Sequence, residues 1–334
     1  MTSAEQTSNF DFLVEHDPLF VELALSAERA FASDPNTTLI KLRQLGEALA
    51  QHISVIAGIT FDEQTTQADL LYKINRELKL EPVVRELFHT LRVEDNKATH
   101  QFKTQHKEAI SGLVVARKLA IWFHQSFGKA GTKFKPGPFI PLQDPSEQLR
   151  NLQTEIAKLK SDLQQANIDL DSSQQLNELI AKEKDEFEAL AFDMDEESRA
   201  LAQQATSHEK ALNQQQQEYE SKIKSLQTQL AAQDEKAQAV QRQTLNRNTQ
   251  AATQQIVLDE ALTRILIDQQ LIEAGWQADS EALTFKNGAR PEKGKNLAIA
   301  EWSTQYKGKN GRADYVLFAG LTPIAVVEAK KENT

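Results

Sequence analysis

The sequence predicts a multidomain chain: an all-α helical bundle, then a long coiled coil, then a partial α/β domain. Three observations predict it. Residues 10–127 carry apolar side chains at helical spacing. Residues 146–255 contain neither glycine nor proline and are rich in Gln, Glu, Lys, Ala and Leu. Near the end, Tyr315–Phe318 and Ile324–Val327 are short apolar runs separated by a turn bearing Gly320 and Pro323, a hairpin signature. The expected divisions are a bundle over 1–128, a linker over 129–145, a coiled coil over 146–255 and an α/β region over 256–334.

The bundle is built from successive amphipathic segments. Leu19–Phe31 places its apolar residues on one face. Asp34-Pro35-Asn36 is a turn that offers a helix start, and Leu39, Leu42, Leu45, Leu49, Ile53 and Ile56 continue the stripe beyond it. Asp62–Leu80 and Glu81–Leu91 read as further helices. Ser111–Phe127 adds Leu113, Leu119, Trp122 and Phe123. Gly128–Pro145 then holds four of the nine prolines and three of the twelve glycines, which forbids regular helix and marks the linker.

In the third region Leu149, Leu152, Ile156, Leu159 and Leu163 step by three and four, a heptad seam. The seam falters around Asp169–Glu178 and Phe187–Glu197 and returns at Tyr219, Ile223, Leu226 and Leu230. A continuous helix of ~100 residues would span ~150 Å, and a folded-back antiparallel pair fits the stutters equally. No chemically distinctive residues cluster here, so the expected role is that of a spacer.

Composition narrows the function. A net charge of −10 argues against a generally basic nucleic-acid surface, so any DNA contact must be local or made through a metal. The absence of cysteine excludes disulfides and thiolate zinc sites and fits a cytoplasmic protein. No apolar run reaches the ~20 residues of a membrane span, and Met1–Phe12 has no basic start or apolar signal core.

The last region holds the chemistry. Val257–Gly275 reads as a helix with Gly275 as its cap. Trp276–Phe285 and Leu297–Trp302 read as strands, and Tyr306–Arg312 as a basic glycine-rich loop. Asp314 opens one terminal run, and Glu328 and Lys330 close the other on a shared strand face. Two carboxylates can hold Mg²⁺ with room for water and a phosphate oxygen, and a nearby lysine can orient that water. The competing reading is a surface strand ending in solvated charges. Around the site, Lys307, Lys309, Arg312 and Lys331, with the Lys286–Lys295 loop, could meet a DNA backbone without reading its sequence.

The spacing of Asp314, Glu328 and Lys330 resembles the PD-(D/E)xK nuclease motif, with Ala313 in place of the motif proline. A longer series of matches is more specific. Glu260-Ala261, Thr263-Arg264, Leu266–Asp268, Glu273–Trp276, Gly288–Glu292, Ala298–Trp302 and Ala313–Lys331 resemble in order the restriction (R, endonuclease) subunit of type I restriction enzymes. Asp34–His52 is similar to the amino-terminal helical domain of its K-12-type subfamily. The resemblance spans nearly the whole chain. It implies that Asp314 and Glu328 are metal ligands for Mg²⁺, that Lys330 is the catalytic lysine and that Glu260 assists the metal. For Glu260 an exposed carboxylate near a helix start is the ordinary alternative. The intact subunit would cut double-stranded DNA non-specifically in defence against foreign DNA, together with modification and specificity subunits.

No Gly-x-x-x-x-Gly-Lys-Ser/Thr phosphate loop occurs, so ATP would serve only motor domains outside these 334 residues. The expectation is a fragment, truncated product or split half, inactive or weakly active alone. A non-catalytic assembly module with an inert nuclease region is the second reading. The third rests on Arg92, Asn96 and His100, which resemble the Arg-x-n-His signature of HEPN-type helical domains, some of them ribonucleases. There Arg92 would bind phosphate and His100 act as base; a structural histidine beside a solvated arginine is the ordinary alternative.

Overall fold

The computed structural model describes residues 8–62, 64–101, 106–142, 209–229, 235–306 and 309–329. Helices dominate it, and a small mixed sheet lies at the carboxyl end.

The bundle helices start where side chains satisfy the orphan amides of a first turn. Asp17 accepts from the Leu19 amide to open α1, Pro18–Ala30. Asp34 accepts from Asn36 and Thr37 to open α2, Pro35–Ile56. Thr66 and Asp69 bond to one another at the start of α3, Gln67–Leu78, which ends on Lys79 in the left-handed region. Then follow α4, Pro82–Gln101, and α5, His106–Phe127. Their apolar faces meet in one core that includes Phe20, Leu49, Phe88, Trp122 and Phe123. The proline-rich stretch after α5 lies against this bundle: Asn9 and Ile140 exchange two hydrogen bonds of 2.9 and 2.7 Å, and Arg117 donates to the Gly137 carbonyl at 2.7 Å.

The described part of the expected coiled coil has a specific neighbour. Helical residues 209–229 (α6) bury Leu212, Tyr219 and Ile223 in the bundle core. The Tyr219 hydroxyl donates to the Ala48 carbonyl at 2.8 Å, and Lys222 pairs with Asp17. Helix α7, Glu235–Thr253, adds Leu245 and Ala252 to the same core. Arg242 donates to the Ala57 carbonyl and to Glu77. The seam read from Tyr219, Ile223 and Leu226 thus faces the bundle. The heptads at 149–163 lie outside the described residues.

Helix α8, Glu260–Glu273, is a wall shared by the two ends of the fold. Asp259 caps it through the Leu262 amide. Leu262 and Leu266 enter the bundle core, whereas Leu271 packs with Ala298, Ala300, Tyr315 and Leu317 of the sheet. Gly275 follows with φ +90°, and the Trp276 amide reaches back to the Leu271 carbonyl, so glycine is the residue that lets the chain turn off this helix.

The sheet order is β1-β2-β3-β4: β1, Gln277–Ala278; β2, Asn296–Tyr306; β3, Lys309–Ala319; β4, Thr322–Val327. β1 runs parallel to β2, and the other two pairs are antiparallel. Two expectations are corrected. Trp276–Phe285 forms only a two-residue strand, because the Asp279 carboxylate accepts from the Glu281 and Ala282 amides and turns the chain. Lys309–Arg312 are strand rather than loop: the β2–β3 ladder extends through Ser303↔Arg312 to Tyr306↔Lys309. At Gly311 a Cβ would come within 2.8 Å of the Thr304 hydroxyl opposite, so glycine serves close strand approach there.

Candidate metal and phosphodiester site

The terminal hairpin places Asp314 one step beyond the Tyr315↔Val327 pair, level with the end of β4. The Ala329 amide donates to Asp314 Oδ2 at 2.8 Å. This fixes one carboxylate oxygen and leaves Oδ1 without a hydrogen-bond partner among the described residues. Asp314, Tyr315 and Ala329 line a cleft of about 230 Å³, whose other wall is the first turns of α8: Glu260, Thr263 and Arg264. Two of the carboxylates singled out in the sequence, Asp314 and Glu260, thus share one cleft. Glu328 is exposed at the end of β4 and is not among the lining residues. Lys330, the expected catalytic lysine, lies outside the described residues, as do Lys307 and Lys331.

The α8 wall carries a cation. Arg264 Nη2 donates to Glu260 Oε1 at 2.9 Å, one helical turn away, and to Glu301 Oε1 at 3.1 Å. Burial opposes the charge on Arg264, but the two carboxylates outweigh it and hold the guanidinium above its ordinary pKa. Arg312, expected to meet DNA, is exposed and stands 3.4 Å from the second oxygen of Glu301.

Glu301 occupies unusual backbone. Its φ of +53° lies in the left-handed region, inside a strand. The ladder runs Ala300↔Tyr315, then Trp302↔Ala313, so Glu301 is opposite Asp314. Ala300 and Tyr315 face α8, whereas Trp302 and Ala313 belong to the cluster on the other face. Residues two apart in a strand ordinarily share a face. The alternation therefore breaks at the level of Glu301 and Asp314.

The sequence reading missed Arg264 and Glu301 as site residues. Arg264 had a signal, its i, i+4 spacing from Glu260. Glu301 had a weaker one, a charge ending the apolar run Leu297–Ala300. Beneath the cleft, Asp268 is raised in pKa by burial, and burial with the neighbouring Asp268 charge raises Tyr315.

The other predicted residues are dispersed. The Lys309 backbone is in β3. Within Lys286–Lys295, Arg290 stacks on the Phe285 ring with 3.9 Å to its centroid and Lys295 pairs with Glu292. Arg92 and His100 sit on the same helix, α4, about 12 Å apart by helical rise. Arg92 donates to His89 at 3.2 Å, and His89 in turn bonds Glu273 of α8 at 2.7 Å. The side chain of His100 lies outside the described residues.

Among the described residues no group of three or more His, Cys, Asp or Glu side chains stands close enough to hold a metal. The cleft nonetheless suits Mg²⁺ chemically. Its donors are hard carboxylate oxygens, one aspartate oxygen is unengaged, and Mg²⁺ commonly takes only one or two protein carboxylates beside water and phosphate.

Comparisons with known proteins cover the sheet region and nearly the whole chain. The family described as the second domain of the type I restriction enzyme EcoKI endonuclease subunit matches residues 277–334. The type I restriction enzyme EcoKI endonuclease subunit of Escherichia coli (strain K12) is 39% identical over 333 residues, covering 98% of this chain and 27% of that protein. No solved structure matches. Over 98% of its length the chain is thus similar to the endonuclease subunit of a type I restriction enzyme, and it spans about a quarter of that relative's length.

Proposed function

We propose that residues 256–334 carry the phosphodiester-cleaving centre of a type I restriction endonuclease subunit, and that it hydrolyses double-stranded DNA with Mg²⁺ without sequence preference. The observation that carries this reading is the shared cleft of Asp314 and Glu260, with the Ala329 amide tying Asp314 to the Glu-x-Lys segment. In this reading the Asp314 and Glu328 carboxylates hold the ion and Glu260 assists from α8. A bound Mg²⁺ supplies Lewis-acid stabilisation of developing phosphate charge and lowers the pKa of its water. The Lys330 ammonium orients the attacking water and pairs with the phosphate. Arg312, Lys309, Lys307 and Lys331 neutralise neighbouring backbone phosphates.

The bundle and α6–α7 serve as the platform for α8 and the sheet. The modification and specificity subunits supply sequence choice, ATP-driven translocation resides outside these 334 residues, and the complex works in the cytoplasm. Among the described residues no helix is long and apolar enough to cross a membrane.

The test is nicking of supercoiled plasmid by the full chain. Mg²⁺-dependent nicking that disappears in Lys330→Ala and in Asp314→Ala supports the assignment. Nicking that survives both substitutions overturns it.

A further inference from the structure

We infer that Arg264 is the phosphate-binding cation of the Asp314 cleft, and that Glu301 is the positioning residue that holds it there. The inference rests on the nuclease reading above and adds the group that receives the DNA phosphate.

Arg264 lines the cleft together with Asp314 and Glu260. Its side chain is only 17% exposed, so its charge is screened less by water than that of a surface arginine. Only Nη2 is engaged, by Glu260 and Glu301. Among the described residues Nε and Nη1 have no partner. A guanidinium with free N–H groups at a cleft wall matches the oxygens of a phosphodiester in a way an ammonium does not.

The two carboxylates hold Arg264 unequally. Glu260 is 78% exposed, so its i, i+4 pair is weak and readily exchanged. Glu301 is 24% exposed and keeps its carboxylate on Arg264 from a left-handed backbone. A non-glycine residue persists in that conformation only where its surroundings require it. Here the conformation accompanies the break in strand alternation opposite Asp314 and leaves the carboxylate bonded to α8. Were Glu260 to serve as a metal ligand, Glu301 would still anchor Arg264, and the Nη2 hydrogen now on Glu260 would be free for the phosphate. Metal and phosphate are thereby accepted by adjacent groups on one wall.

The experiment uses the full chain, a labelled DNA duplex of about 20 base pairs, and Ca²⁺ in place of Mg²⁺ as the probe for binding without turnover. Calorimetry reads Ca²⁺ affinity, anisotropy reads duplex affinity, and thermal melting checks folding. Arg264→Gln is expected to weaken Ca²⁺-supported duplex binding about tenfold, the worth of a charge-assisted hydrogen bond. Ca²⁺ affinity stays the same or tightens, because a positive charge leaves the site. Glu301→Gln weakens duplex binding in the same direction, and Arg264→Lys recovers part of the loss. A purely structural clamp between α8 and the sheet predicts otherwise: unchanged duplex affinity in folded Arg264→Gln, or duplex and Ca²⁺ affinity lost together, and either result overturns the inference. Asp314→Ala separates the two layers. Ca²⁺ binding lost there, with duplex affinity unchanged in Arg264→Gln, removes the phosphate role alone. Ca²⁺ binding unchanged in Asp314→Ala, or no Ca²⁺-dependent duplex binding by the unsubstituted chain, removes the metal reading and this inference with it.

Discussion

The Ala329 amide holds Asp314 Oδ2 at 2.8 Å, so the end of β4 and the start of the apolar part of β3 are fastened at the candidate metal ligand. Asp314→Asn keeps an oxygen acceptor for that amide and removes the charge. Its melting temperature should stay close to that of the parent while Mg²⁺-dependent nicking is lost. Asp314→Ala removes the acceptor too and should cost about 1 kcal/mol more, visible as a lower denaturant midpoint.

Tyr219 joins α6 to α2 through the Ala48 carbonyl and lies 3% exposed. Burial raises its phenol well above the usual value, so it remains a neutral donor. Tyr219→Phe should cost about 1 kcal/mol of stability, and Tyr219→Ala about 3–5 kcal/mol as a cavity opens against Phe20. Urea unfolding monitored by tryptophan fluorescence reads both, because Trp122 lies in the same core.

The bundle should be acid-sensitive in a defined window. His16 and His52 are pushed down from 6.5 to about 4, chiefly by burial. His16 also contacts His124 at 3.0 Å, with Glu15, Asp17 and Lys222 among the neighbouring charges. A histidine with a depressed folded pKa binds fewer protons folded than unfolded. Stability is therefore full above pH 6.5 and falls as pH drops from 6.5 towards 4. His52→Gln should flatten that part of the melting-temperature profile; a profile as steep as the parent's would contradict the cause given.

Lys107 of α5 reaches Asp279 at 2.5 Å and Glu281 at 3.2 Å, and with His89–Glu273 it ties the bundle to the α8–sheet region. All of these side chains are a third or more exposed. A double-mutant cycle between Lys107→Met and Asp279→Asn should give a coupling of no more than about 1 kcal/mol that shrinks in high salt.

Much of this arrangement could be read from residue order. Asp34-Pro35 announced the start of α2, Gly275 the end of α8, and the terminal hairpin came from two apolar runs on either side of a turn bearing Gly320 and Pro323. What could not be read depended on partners. An amphipathic stripe such as Tyr219–Leu226 says that a helix face is covered, not by which surface. Gly308 and Gly311 suggested a loop because composition does not reveal a cross-strand neighbour such as Thr304. The φ of Glu301 accompanies a break in strand alternation that only the assembled β2–β3 ladder displays, and so the Arg264–Glu301 link was invisible although both residues stood within matched motifs.

Magnesium binding measured by calorimetry on the full chain tests the central claim most directly. The account predicts a site that titrates in the parent, persists in His89→Ala, which lies outside the cleft, and disappears in Asp314→Ala. Mg²⁺ binding of equal affinity in the parent and in Asp314→Ala would contradict it.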